Sequence, residues 1–299
     1  MCEPRVYTYM KKEFFVPGRT ELAGNHTDHQ NGRVLASAID LGLYAVCETN
    51  GSKIIHVQSE GFNSFDVRCD HLLVRTTEFG TPKALVRGVV SAFAELGLKV
   101  GGFNAVIKST LPVGAGLSSS AAFSVLIGSA LSALFNDGKV DPVVIARAGQ
   151  EAENRYFGKP CGLMSQLVCA LGHTLYVDFK TGEMTPIKAD FSSMGLTLCL
   201  TDTGGSHAGL DTSYARIPGD MVYIANLFDK GVLADVDPAE FRGKGWDPSD
   251  RPVRRAMHFF DENRRVQMQV RALRNDNFAA FWNYVNESGN ASWELLQNI

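Results

Sequence analysis

The chain has 299 residues, 45% of them hydrophobic and 20% charged, with 29 glycines and a formal net charge of −3. Its mean hydropathy is −0.05 and its pI is near 6.2. These values exclude disordered, collagen-like and low-complexity classes, and they argue against nucleic acid or an anionic membrane as the main partner. The length suits one large domain or two of ordinary size. Six cysteines, Cys2, Cys47, Cys69, Cys161, Cys169 and Cys199, form no C-x-x-C pair. They read as reduced thiols of a cytoplasmic protein rather than as a disulfide framework or a zinc site. The first residues lack the long apolar stretch of a secretion signal. The most apolar run, residues 121–135, is too short and serine-rich to span a bilayer and reads as a buried helix.

In chain order, residues 41–49, 53–59 and 103–109 are rich in branched and aromatic side chains between Gly, Asn or Ser, which predicts strands. Residues 82–98 predict a helix ending at a glycine turn, and residues 119–135 a second. A third opens at Asp141-Pro142, an N-cap followed by proline at the first helical position, and stops at Gly158. The second half offers a strand at 196–203 that meets Gly204-Gly205, then helices near 214–230, 253–273 and 277–297. Strands and helices without strict alternation indicate an α+β fold, with a boundary near residues 175–178.

Two segments carry the chemistry. In LPVGAGLSSSAAF, residues 111–123, a strand ends, a glycine loop follows, and serines open an apolar helix. Gly114 and Gly116 permit a tight turn and close approach to a ligand. The N–H groups at the start of the helix favour negative charge, which describes a phosphate cradle. A glycine turn with a serine N-cap before a core helix reads equally from these residues. The segment is neither a Walker loop nor a dinucleotide fingerprint, since no G-K-[ST] follows and Ser119 stands where a third glycine belongs. The other segment, residues 16–40, places Arg19, Glu21, Asn25, His26, Asp28, His29, Gln30 and Asn31 between apolar flanks. Such a loop offers donors and acceptors suited to a polyhydroxylated ligand, or serves only as a solvated connection.

Together these segments resemble a known family. PGRTELAGNHTDHQNG resembles the galactokinase signature, and PVGAGLSSSAA resembles the phosphate loop of the wider GHMP small-molecule kinases. The likeness continues through AENRYFGKPCGLMSQ, LTDTGGSHAGLDTSYARI and RAMHFFDENRRVQMQVRAL, covering essentially the whole chain. It implies a two-domain α+β fold, residues 1–175 and 176–299, with the active site in the cleft between them. It implies ATP-dependent phosphorylation of the anomeric hydroxyl of galactose or a related hexose. By the same resemblance Arg19 neutralises charge beside the attacking hydroxyl, and Asn25, His26, Asp28, Gly162 and Tyr214 bind the sugar. Gly114, Ala115, Gly116, Leu117, Ser118, Ser119, Ser120 and Ala121 surround the ATP phosphates, and Ser120 and Glu153 hold Mg²⁺.

Three departures stand out. Ser165 occupies the place of the family's proposed base aspartate in G-x-M-D-Q, and a serine hydroxyl has no useful basicity near neutral pH. Asn25 replaces the usual glutamate before His-Thr-Asp, which bears on sugar preference. The family's late glycine-rich motif is missing, which suggests an incomplete second domain and self-association through surface left uncovered. Two functions therefore stand: an impaired galactokinase-like enzyme, or an inactive sugar- or nucleotide-binding protein on the same scaffold. Elsewhere, seven arginines between Arg251 and Arg274 read as a solvated or salt-bridged face. His207 and His258 read as structural, and Trp282 and Trp293 with Phe278, Phe281 and Tyr284 as core.

Overall fold

The computed structural model describes residues 9–112, 114–189, 191, 195, 197–201 and 211–298, with side chains of 211–215 left aside. Cys2, Gly204, Gly205, His207 and the side chain of Tyr214 lie outside the described residues. The chain forms two compact units, each discontinuous in sequence: Met1–Arg19 with Ala38–Gly172, and Thr20–Ser37 with His173–Ile299. Two long strands, β1 (Lys11–Ala23) and β2 (Arg33–Thr49), each run from one unit into the other.

In the first unit the second half of β2 pairs antiparallel with β5 (Phe103–Ser109), from Leu43 opposite Ser109 to Thr49 opposite Phe103. β3 (Ile54–Ser59) lies parallel to β5 and antiparallel to β4 (Phe65–Arg68). On β5, Phe103, Ala105 and Ile107 are buried and Asn104, Val106 and Lys108 are exposed, the period-two alternation of a sheet with one covered face. Four helices complete this unit: α1 (Pro82–Glu95), α2 (Ser119–Phe135), α3 (Pro142–Glu151) and α4 (Met164–Leu171). α2 is apolar all round and its middle is buried, as expected of a core helix. The chain after α3 continues as a π-helical turn, Ala152–Phe157, and ends at Gly158 with φ +80°. α1 packs closely on this turn at Gly88, where a Cβ would come within 2.6 Å of Ala152 Cα.

In the second unit the first half of β2 pairs antiparallel with β6 (Thr174–Asp178), with Val34 opposite Val177, and β6 pairs with β7 (Glu183–Pro186). α5 (Asp211–Asn226), α6 (Pro238–Arg242), α7 (Arg251–Arg274) and α8 (Phe278–Ala291) follow, and a second π-helical turn spans Ser292–Leu296. One core joins Ile217, Met221, Phe241, Phe259 and Leu296, and another joins Leu35, Tyr176, Val266, Val270 and Phe281. No helix among the described residues is long and apolar enough to cross a membrane.

Most sequence expectations reappear, with three differences. The 41–49 strand is the latter half of β2, and residues 19–23 of the polar segment belong to β1 rather than to a loop. Residues 197–201 form no strand: Leu198, Cys199 and Leu200 are exposed, and β propensity without a ladder partner or a covered face does not hold an extended segment. Trp282 and Trp293 are 40% and 66% exposed, because α8 turns Phe281, Ser288 and Ala291 inward instead and the turn after it buries Ser292 and Leu296. In the arginine-rich helix the salt-bridged reading is the one present. Arg255 is buried and shares Asp220 with Arg251, and Arg265 pairs with Glu262.

Candidate active site

The first unit carries the glycine loop. Gly114 and Gly116 have φ of +75° and +72°, and Ser118 is also left-handed at +63°. Ser118 makes no side-chain cap to α2. Its hydroxyl donates instead to Ser165 Oγ at 3.1 Å. The serine N-cap reading is therefore not the arrangement present, and the seventeen-residue α2 aims its positive end at the loop. β1 passes tightly against the loop at Gly18, where a Cβ would lie 2.8 Å from Leu117 O. The next residue, Arg19, donates its backbone N–H to that same carbonyl at 3.3 Å.

This anchoring aims the Arg19 side chain. Nη1 donates to Gly116 O at 2.9 Å, while Nε and Nη2 both donate to Ser165 Oγ, at 3.1 and 2.9 Å. Two parallel N–H groups thus converge on one hydroxyl oxygen, an edge that matches the two oxygens of a carboxylate. Ser165 is the second residue of α4, where a negative charge is favoured. None of the ion pairs among the described residues involves Arg19.

Glu153 sits on the π-helical turn and is 3% exposed. Its Oε2 accepts from Gln166 Nε2 at 2.7 Å, and its Oε1 is buried with no hydrogen-bond partner. An orphaned carboxylate oxygen of this kind suits a cation. No group of three or more His, Cys, Asp or Glu among the described residues could hold a metal. Mg²⁺ keeps several waters and needs only one or two protein ligands, so the carboxylate of Glu153 and the hydroxyl of half-buried Ser120 fit it. Gly162 lies in the segment entering α4.

The second unit carries the polar turn between β1 and β2. Gly24 has φ +101°, and a Cβ there would lie 2.5 Å from Arg33 O. Thr27 N and Oγ1 both donate to Gly24 O, Gly32 N donates to Thr27 O, and a single 3₁₀ turn spans Asp28–Gln30. His26 takes a left-handed φ of +59°, a conformation that costs a β-substituted residue energy and clusters at functional sites. It is buried, its Nδ1 lies 3.2 Å from His29 Nε2, and its pKa is lowered to about 3, chiefly by burial and then by His29. The ring is therefore neutral at physiological pH. Asp28 Oδ1 accepts from His29 N at 2.8 Å. Asn25 Nδ2 donates to Ser292 Oγ at 2.9 Å, and its Oδ1 accepts from Asn298 at 3.5 Å.

The structure thus gathers Arg19, Gly116, Ser118 and Ser165 in one unit with Glu153 tied to α4, and Asn25, His26 and Asp28 in one turn of the other. Sequence reading passed over Gln166, which tethers Glu153, although it lies beside Ser165. It also passed over Glu262, which accepts from Gly24 N across 238 positions and leaves no local signal.

Comparison with known proteins finds matches over both segments. Residues 84–173 match the model of the GHMP kinases N terminal domain, and residues 7–49 match the galactokinase galactose-binding signature. The galactokinase of Exiguobacterium sibiricum is 29% identical over 286 residues, covering 92% of this chain and 72% of the relative. That of Bacillus subtilis is 28% identical over 285 residues, with the same coverage. Among solved structures, Lactococcus lactis galactokinase complexed with galactose superposes with a TM-score of 0.81 at 24% identity, covering 96% of this chain and 76% of that one. Methanococcus jannaschii mevalonate kinase superposes at 0.63 and 17% identity, covering 98% and 80%.

The chain is similar to galactokinases over nearly its whole length and has the GHMP-kinase fold.

Its family matches divide as the geometry does. The galactokinase signature spans Arg19, Asn25, His26 and Asp28, and the GHMP kinase domain spans the glycine loop, Glu153 and Ser165. At Ser165 the arginine fork and the start of α4 meet a hydroxyl.

Proposed function

We propose that the chain binds galactose or a related hexose together with ATP, and transfers the γ-phosphoryl group to the sugar's anomeric hydroxyl at a rate limited by Ser165. The observation that carries this reading is the Arg19 fork, which joins the glycine loop through Gly116 to the start of α4 through Ser165. Phosphoryl transfer depends mainly on positioning and electrostatic stabilisation. Arg19 supplies a fixed positive charge beside the attacking oxygen. The loop N–H groups at the start of α2 hold the phosphates. His26, neutral, and Asp28 offer the donors and acceptors that orient a sugar, and the signature match of the turn supports that role. Ser120 and Glu153 would hold Mg²⁺, which when bound neutralises phosphate charge.

Ser165 cannot act as a base, so the hydroxyl proton leaves without a protein acceptor there. General-base assistance contributes roughly 10²–10⁴-fold, and a chain without it keeps the part of catalysis that positioning supplies. This same residue favours a second reading, a sugar- or nucleotide-binding protein with no useful turnover. Calorimetric titration with galactose and with Mg·ATP, alongside hexose-dependent ADP release, tests both. Binding with slow release supports the first reading, binding without release the second, and binding of neither ligand refutes both.

A further inference from the structure

The polar turn is held from outside. Its own hydrogen bonds, from Thr27 to Gly24 and from Gly32 to Thr27, close it internally. The flanking backbone groups go to α7. Gly24 N donates to Glu262 Oε1 at 2.9 Å, His258 Nε2 to Asn25 O at 2.9 Å, and Arg33 N to Asn263 Oδ1 at 2.7 Å. His258 and Glu262 are four residues apart and share one helix face, with Asn263 beside them. A carbonyl only accepts, so His258 carries its proton on Nε2.

Glu262 is the hub. It is fully buried, and it also accepts from Ser288 Oγ of α8 at 2.6 Å and from Arg265 Nη1. A buried ion pair is weak as a source of stability, since well-packed apolar residues often serve as well or better. Its definite effect is geometric, because the carboxylate fixes the backbone at the point where β1 turns into the Asn25–Asp28 segment. Asn25's own side chain is fixed from Ser292 and Asn298.

We infer that Glu262, seconded by Asn263, is the positioning residue of the hexose-binding turn: it touches no substrate but sets where His26 and Asp28 stand. The inference rests on the reading of that turn as the sugar-binding half of the site. Glu262→Gln keeps an acceptor for Gly24 N but presents an amide to Arg265. Glu262→Ala removes all three contacts, to Gly24 N, Ser288 and Arg265. Asn263→Ala frees only Arg33 N and removes no charge, so it remains informative if the Glu262 variants do not fold.

The test combines backbone-amide hydrogen exchange of residues 24–33 with separate calorimetric titrations of galactose and Mg·ATP on the full chain. Exchange at Gly24 should accelerate in Glu262→Ala, less in Glu262→Gln, and exchange at Arg33 in Asn263→Ala. Galactose affinity should fall on the order of 10- to 100-fold for Glu262→Ala, the scale reached when a supporting partner is lost or a binding group is misplaced. The glutamine variant should recover part of the loss, and Mg·ATP affinity should stay within about twofold, which general destabilisation would not produce. Unchanged exchange, or equal losses for sugar and nucleotide, would overturn the inference. If the parent chain binds no hexose while exchange responds as described, the sugar reading fails and the positioning role falls with it. If the parent binds galactose and only the variants' affinities fail to move, the inference alone falls.

Discussion

Replacing Ser165 with aspartate restores a carboxylate to a place that is shaped for one. Arg19 Nε and Nη2 stand 3.1 and 2.9 Å from a single oxygen, and an aspartate on the same Cβ offers one oxygen to each. Two opposing effects set the magnitude. A positioned base contributes roughly 10²–10⁴-fold. Pairing with Arg19 and a place at the start of α4 both favour the ionised form, which lowers the carboxylate pKa and weakens it as a base. The expected gain is therefore in the lower part of that range, about 10²–10³-fold, or about 3–4 kcal/mol of barrier. The new ion pair is half-exposed, so it should change stability by about 1 kcal/mol or less, too little to explain such a gain. The assay is galactose-dependent ADP release at saturating Mg·ATP, with both dissociation constants measured in parallel. Ser165→Asn is the control, since it has the shape of aspartate and accepts from Arg19 but takes no proton. An asparagine variant as fast as the aspartate variant would show that Arg19 placement, not proton transfer, limits the rate. An aspartate variant that binds both ligands and stays at the serine rate would refute the base argument.

Three further outcomes are expected. Gln166→Leu removes the donor to Glu153 Oε2 and should weaken the Mg²⁺ dependence of nucleotide binding by roughly 10–100-fold, read by titrating Mg²⁺ at fixed ATP. Gly88→Ala drives a methyl into Ala152 and should cost about 1–3 kcal/mol in urea unfolding, since backbone must move to admit it. His26 is held neutral by burial, its pKa lowered from 6.5 to about 3. Between those values the unfolded chain binds a proton that the folded chain refuses. Stability is therefore present above about pH 6.5 and lost as pH falls, about 2 kcal/mol from this residue by pH 5. His29 and His258, also lowered chiefly by burial, add in the same direction. Unfolding at pH 7 and pH 5 should show a smaller loss in His26→Asn than in the parent.

What the sequence disclosed was local. The glycine loop and α2 were readable because glycine, serine and an apolar helix follow one another without interruption. β5 was readable to its ends because its alternation is unbroken. The five residues Thr20, Glu21, Leu22, Ala23 and Arg19 looked like loop because polar side chains mask an edge of β1 whose backbone is nevertheless paired. The aromatic spacing of α8 was ambiguous between two faces, and the helix buries Phe281 while leaving Trp282 out. The π-helical turn that presents Glu153 and the tethers from α7 depend on contacts far apart in the chain. No window of sequence contains them.

The tethers also have a consequence in time. Gly24 and Glu262 are 238 residues apart, so at a synthesis rate of 5–20 residues per second the turn waits roughly 10–50 s for its anchor. Ala38–Gly172 is one unbroken stretch of the first unit and can collapse during that interval, together with the start of β1. The turn is thus translated long before it is immobilised. A ligand of the glycine loop can meet its site during that interval, whereas a ligand of the turn meets a formed site only once Glu262 has left the ribosome.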